Sequence, residues 1–232
     1  MLYIIPSWIN HFSSILSFSN QHKEIVKNLK FYIVENENKS KKFLKFIFSD
    51  INFNIIKFTI FNKKSNIIDI YDILNLLKNG IKVGLLSDFG LPCIADPGNL
   101  IVKYCHNNSI RVMPLSGSSS IFMALMSSGL NGQNFSFHGY LPINKKELKK
   151  KIYQLEFFSK KFQSSQIFIE APFKNNQLLK QLFLYLSNST MLCIAVNVSS
   201  ISECIKTKSI QEWKKIDVNL HKKPTIFIIE SN

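Results

Sequence analysis

The chain has 232 residues, 46% of them hydrophobic, which is enough for one large domain or two small ones with substantial cores. Its formal net charge of +14 favours an anionic partner such as RNA. No stretch approaches the ~20 uninterrupted apolar residues of a membrane span, and the start Met1–Pro6 lacks the basic run and small-residue cleavage site of a secretion signal, so a cytoplasmic chain with no membrane partner is expected.

Taken in chain order, short apolar runs alternate with helical patterns, the signature of an α/β fold. Residues 2–5 read as a buried strand stopped by Pro6, and residues 31–34 as a second. Residues 39–48 read as a basic amphipathic helix with Phe43, Leu44 and Ile47 on one stripe. A strand is expected over 55–61 and a helix over 67–78, with Gly80 at its left-handed cap. The strand 83–86 runs into a long loop, Ser87 to Gly98. A helix over 100–107, a strand over 110–113 and a second loop, Pro114 to Ser120, close the first half. The second half repeats the alternation, with strands at 135–138, 166–169, 191–196 and 225–229 and helices at 145–158 and 177–186. The expected domains are 1–114 and 115–232, with a cleft between them.

Arg111 is the only arginine among the 29 Lys and Arg residues. Lysine, asparagine, isoleucine and phenylalanine are abundant together, a combination that AT-rich coding also produces. Base and phosphate forks favour arginine, so the charge fits diffuse phosphate attraction better than sequence readout. The cysteines, Cys93, Cys105, Cys193 and Cys204, form no C-x-x-C pair, and Cys105-His106 has no partner pair at a zinc spacing. They are read as buried small hydrophobes, and no metal site is expected.

Three segments have the residue types for chemistry. The loop S-D-F-G-L-P-C-I-A-D-P-G, Ser87 to Gly98, leaves the carboxyl end of a buried strand, where α/β sheets bind ligands. Its glycines permit close backbone approach, and Asp88 or Asp96 can hold a hydroxyl or amine; the competing reading is a rigid turn with Asp96 capping the next helix. The loop P-L-S-G-S-S-S, Pro114 to Ser120, offers hydroxyls and free N–H groups at a helix start, or a plain serine cap. In I-E-A-P-F-K-N-N, Ile169 to Asn176, Glu170 is either a general base, a ligand contact or a residue bonding its own turn, and Asn175 or Asn176 caps the next helix. His138, at a strand end, is read as structural. Neither a P-loop nor a dinucleotide fingerprint is present.

Together these segments resemble the tetrapyrrole (corrin/porphyrin) methylase superfamily, and within it the ribosomal RNA small-subunit 2′-O-ribose methyltransferase family and its shorter relatives. The match runs in order through L-Y-I-I-P, the Ser87–Gly98 loop, V-M-P-L-S-G-S-S-S, the later S-G-L, F-S-F-H-G-Y-L-P and I-F-I-E-A-P-F-K. The resemblance implies a two-domain α/β fold, S-adenosyl-L-methionine in the cleft between domains, a homodimer, and RNA or the small ribosomal subunit as partner. By motif position it implies cofactor contacts at Pro6, Asp88, Gly90, Leu91, Ser119 and Ser120, and at Ile169, Val196 and Pro224. Glu170 and Lys174 are the candidates for assisting a ribose hydroxyl, with the lysines of 39–45 and 145–151 supplying a field for RNA. The sequence departs from the family pattern at Ser7-Trp8-Ile9-Asn10, at Phe89 and Leu91, at Ser116 and Ser118, and at Asn197-Val198-Ser199-Ser200. Two other readings stand beside it: a small-molecule tetrapyrrole methylase, and a non-catalytic RNA-binding or ribosome-assembly relative.

Overall fold

The computed structural model describes residues 1–9 and 19–231. The chain divides into two compact units, Met1–Ser119 and Ser120–Asn232.

Unit 1 contains strands β1 (Leu2–Ile5), β2 (Phe31–Val34), β3 (Lys57–Ile60), β4 (Val83–Leu86) and β5 (Val112–Pro114), and helices α1 (Asn20–Lys27), α2 (Glu37–Ile47), α3 (Tyr71–Lys78) and α4 (Asn99–Asn107). The strands form a parallel sheet in the order β3-β2-β4-β1-β5. A parallel sheet is covered on both faces, which is why L-Y-I-I, F-Y-I-V and V-G-L-L are continuous apolar runs. Alternation divides them between two cores. Ile5, Tyr32, Val34 and Leu86 pack with Val26, Phe43 and Leu44, whereas Leu2, Ile33, Val83 and Leu85 pack with Leu74, Leu77 and Ile101. The Tyr32 hydroxyl donates to the Val26 carbonyl at 2.7 Å, so its burial leaves no bare polar atom.

Unit 2 contains β6 (Phe135–Tyr140), β7 (Ser165–Ile169), β8 (Met191–Val196), β9 (Cys204–Ser209) and β10 (Thr225–Glu230), with α5 (Ser120–Ser128), α6 (Lys145–Phe162), α7 (Asn175–Tyr185) and α8 (Ile210–Trp213). Its sheet, ordered β6-β7-β10-β8-β9, is parallel only at β6–β7. One face carries α6 and α7 over Phe168 and Phe227, whose rings stack at 5.8 Å. In α6 the residues Leu148, Ile152, Leu155 and Ser159 are buried at helical spacing, and the lysines between them point outward.

Several boundaries differ from the sequence expectation, each for a local reason. Helix α2 starts at Glu37 because the Asn36 side chain accepts from Lys39 N. The expected strand 55–61 begins as a 3₁₀ turn, Phe53–Ile55, set up by the Asn52 side chain, and only Lys57–Ile60 is strand. The helix expected from Ile67 opens as a 3₁₀ turn, Ile67–Ile70, inside an Asn66–Asp69 capping box. Strand β5 lies two residues late because Ile110 N closes the end of α4 on Cys105 O. Neither Asn175 nor Asn176 caps α7: their side-chain amides donate to Lys223 O and Asn219 Oδ1. β9 and α8 were not foreseen, since C-I-K-T-K-S alternates lysine with modest residues and lacks a strong apolar signal. Cys105 and Cys193 are buried as expected, but Cys93 is half-buried and Cys204 exposed.

Candidate functional site

In unit 1, β1 and β4 lie side by side, with Ile5 opposite Leu86. Their outgoing loops are stitched together, because Ser7 N donates to Gly90 O at 2.8 Å and Gly90 N donates to Trp8 O at 3.3 Å. Gly90 reaches both bonds at φ +68°, a conformation that disfavours side chains. The loop from β5 presses on the same point: a Cβ on Gly117 would lie 2.2 Å from Pro6 Cβ. Three loops therefore meet at the carboxyl ends of β1, β4 and β5, bringing Pro6, Asp88, Gly90 and Leu91 into one neighbourhood. Ser119 and Ser120 are half-buried, and Ser120 opens α5.

Asp88 is held from two sides. Its N–H donates to Glu35 Oε1 at 3.0 Å, and its Oδ2 accepts from Lys39 Nζ at 2.6 Å. The other oxygen, Oδ1, is buried without a hydrogen-bond partner among the described residues, as is Ser7 Oγ. A buried carboxylate oxygen left bare costs free energy, so Oδ1 is an acceptor that a water or a ligand donor would satisfy. Asp96, by contrast, is spent on the loop itself. Its carboxylate accepts from Cys93 N at 2.9 Å and Gly98 N at 2.8 Å, across left-handed Cys93 and Ala95. This is close to the capping alternative, and it leaves Asp88 as the acid with a free acceptor.

The electrostatics follow from burial. Burial raises the Glu35 carboxyl above the usual range, opposed by the bond from Asp88 N–H and reinforced by the nearby Asp96 and Asp88 charges. Burial likewise raises Asp96, against the hydrogen bonds from Gly98 and Cys93. The Cys93 thiol is pushed up to about 12 by burial and then by Asp96, so it is no ready nucleophile. Among the described residues no group of three or more His, Cys, Asp or Glu is arranged to hold a metal ion.

Glu35, Lys39 and Ser7 were not singled out by the sequence for this role. Lys39, assigned there to a diffuse field for RNA, pairs with Asp88, 49 positions away, and lies 4.8 Å from the centre of the exposed Phe89 ring. The available signal was positional: Glu35 directly follows β2, at the same end of the sheet.

In unit 2, sheet register gathers Ile169, Val196 and Pro224 at one end. Ile169 pairs with Ile226, Val196 pairs with Thr225, and Asn197 N donates to Pro224 O at 2.9 Å. Glu170 and Lys174 line one cavity of about 70 Å³ with Pro142 and Leu148. Glu170 Oε1 accepts from Ala171 N at 2.7 Å, so it does bond its own turn, and Lys174 Nζ lies 5.7 Å from the Phe173 ring centre. His138 is structural: its Nε2 bonds Gln166 Oε1 at 2.7 Å, and burial lowers its pKa.

No protein-family model matches the chain. Individual proteins do. The chain is 30% identical to "Ribosomal RNA small subunit methyltransferase I" of Buchnera aphidicola subsp. Schizaphis graminum, over 99% of this chain and 77% of that protein. It is 27% identical to the protein of the same name in Vibrio cholerae serotype O1, over 99% and 76%. Among solved structures it resembles the methyltransferase CobJ, with a TM-score of 0.61 at 10% identity over 93% of this chain and 88% of that one. It also resembles uroporphyrin-III-C-methyltransferase from Thermus thermophilus, with a TM-score of 0.58 at 11% identity over 99% and 93%. At those identities the structural likeness speaks to fold alone, which is the two-domain tetrapyrrole-methylase fold.

Proposed function

The chain belongs to the ribosomal RNA small subunit methyltransferase I family and is a methyltransferase; from that premise we propose that it uses S-adenosyl-L-methionine to methylate a ribose 2′-hydroxyl of small-subunit ribosomal RNA. The observation that carries the donor site is the buried, unpartnered Asp88 Oδ1, in a loop tied to the Pro6–Trp8 segment. The RNA acceptor is supported by what the relatives are named for and by the lysine-rich surface of α6.

When bound, S-adenosyl-L-methionine supplies an electrophilic methyl on a cationic sulfur, so the protein's task is mainly alignment. In unit 1, Asp88 would accept an N–H or O–H of the donor, while Lys39 holds its carboxylate and Glu35 holds its backbone N–H. Gly90 keeps the backbone beside it free of a side chain, Pro6 and Leu91 supply apolar contact, and Ser119 and Ser120 supply hydroxyls. In unit 2, Ile169, Val196 and Pro224 are assigned apolar and backbone contacts. Transfer would form a carbon–oxygen bond as the methyl–sulfur bond breaks, with the neutral thioether S-adenosylhomocysteine as leaving group, and would require the hydroxyl proton to leave. Glu170 is the proposed acceptor of that proton, with Lys174 holding positive charge beside it. We further propose a cytoplasmic homodimer; among the described residues no helix is long and apolar enough to cross a membrane.

Calorimetric titration with S-adenosylhomocysteine tests the donor site. Saturation at one ligand per chain is expected, with Asp88→Asn weakening affinity about tenfold, or ~1.4 kcal/mol. Absence of heat and of thermal stabilisation would favour the non-catalytic reading.

A further inference from the structure

Strand β9 is the outer strand of the unit 2 sheet and, among the described residues, pairs only with β8. Its alternate side chains, Cys204, Lys206 and Lys208, line a cavity of about 330 Å³ closed on the other side by the segment that follows α8. The cavity is apolar at its base, where Ile194, Trp213 and Leu220 are buried, and Ile216 and Val218 add to that surface. The rest of its lining is cationic and polar: Lys223 joins the two strand lysines, together with Asn197, Ser202 and Asn219. Asp217 is the single acidic residue of the lining.

Lysines on an outer strand also protect it from pairing with another chain. Three features go beyond that role. Strand alternation aims Lys206 and Lys208 at the same concavity rather than to opposite faces. No ion pair among the described residues engages Lys206, Lys208 or Lys223, whereas Lys27, Lys39 and Lys41 each have an acidic partner. Lys223 Nζ is merely tethered, donating to Asn219 O at 2.9 Å. An apolar base with three lysines against the single carboxylate of Asp217 in the lining, and Glu212 near Lys208, leaves a net cationic rim that suits a flat, apolar-faced group carrying anionic charge at its edge. A nucleotide has that form, and RNA presents it wherever single-stranded bases are splayed from a helix.

Resting on the RNA reading above, we propose that this cavity is a second RNA-binding site, which takes one unpaired nucleotide with its base on the apolar surface and its flanking phosphates on Lys206, Lys208 and Lys223. Trp213 anchors the base of the cavity rather than stacking on the nucleotide, because its indole N–H is spent on Leu192 O at 2.7 Å and its ring is buried. The site anchors substrate; its lining reaches Val196, assigned above to donor contact, whereas Lys206 and Lys208 on β9 are not among the residues assigned to the donor.

The exposed thiol of Cys204 in the lining gives a direct readout. The wild-type chain is treated with a maleimide, with and without a short single-stranded oligoribonucleotide or a poly-glutamate peptide. The RNA is expected to slow alkylation of Cys204 severalfold and the peptide to leave it unchanged. Unchanged labelling with RNA, or equal protection by the peptide, would overturn the proposal. In parallel, Lys206→Glu/Lys208→Glu should lower oligoribonucleotide affinity at least tenfold. It should also reduce the slope of log affinity against log salt by about 1.4, at ~0.7 per single-strand phosphate released. S-adenosylhomocysteine affinity should stay at the wild-type value. If the wild-type chain methylates small subunits while the double variant binds RNA equally well, the second site is wrong and the enzymatic reading stands. If the wild-type chain protects Cys204 with RNA but methylates no RNA, the enzymatic reading fails and the site survives.

Discussion

Glu35 sits beneath the Asp88 loop with its carboxylate turned to the Asp88 N–H, and burial makes its ionised form costly. The same is true of Asp96. Both carboxyls are raised above their unfolded values, so the stability tied to them is fully present below the ordinary carboxylate range. It is lost as pH rises through their raised values. Glu35→Gln keeps an oxygen for the Asp88 N–H and removes the titration, so its stability should change less with pH across that window. Thermal midpoints of the two proteins against pH check this, and parallel curves would show that Glu35 titrates normally. Much of the site was legible at the level of type and position: an acid and a glycine after a buried strand marked the loop. Which acid stays free was not legible, because that depends on Asp96 bonding two backbone N–H groups of its own turn and on Lys39 reaching Asp88 from another helix.

Elements with continuous apolar runs were legible to the residue, as at Leu2–Ile5, Phe31–Val34, Val83–Leu86 and Met191–Val196, because burial on both faces leaves an unambiguous pattern. Elements set by polar side chains were not. Asn52 and Asn66 redirect their segments through local hydrogen bonds that compete with regular structure, and β9 has alternating lysines in place of an apolar face. The loops after β1 and β4 are likewise shaped by single contacts, which gives a test at this scale. Gly90→Val places a branched side chain at φ +68°, a strain of order 1–3 kcal/mol. No atom lies within 4 Å of a Cβ built there, so the penalty inside the protein is conformational rather than steric. The variant should loosen the Ser7–Gly90–Trp8 stitch and weaken S-adenosylhomocysteine binding about tenfold, whereas Lys42→Ala, on the exposed side of α2, should leave it unchanged. Equal affinity in the wild type and both variants would mean the donor site lies elsewhere.

Across the whole molecule, the charge of +14 is carried almost entirely by lysine, while among the described residues ion pairs engage only Lys27, Lys39 and Lys41. Point charges of this kind attract phosphate without reading bases. RNA affinity should therefore fall steeply as salt rises, with the logarithms linearly related; a flat response would assign the charge to coding bias alone. The two-domain fold followed from the sequence because the apolar runs and the motifs agree in order along nearly the entire chain. Target choice did not, since it depends on how a folded RNA surface meets the protein. The central claim is tested most directly by incubating the purified chain with methyl-labelled S-adenosyl-L-methionine and either unmethylated small ribosomal subunits or free tetrapyrroles, then digesting the RNA to nucleosides. Label in a 2′-O-methylnucleoside from the small subunit is the predicted result; label confined to a base or to a tetrapyrrole, or no transfer to either acceptor, would contradict it.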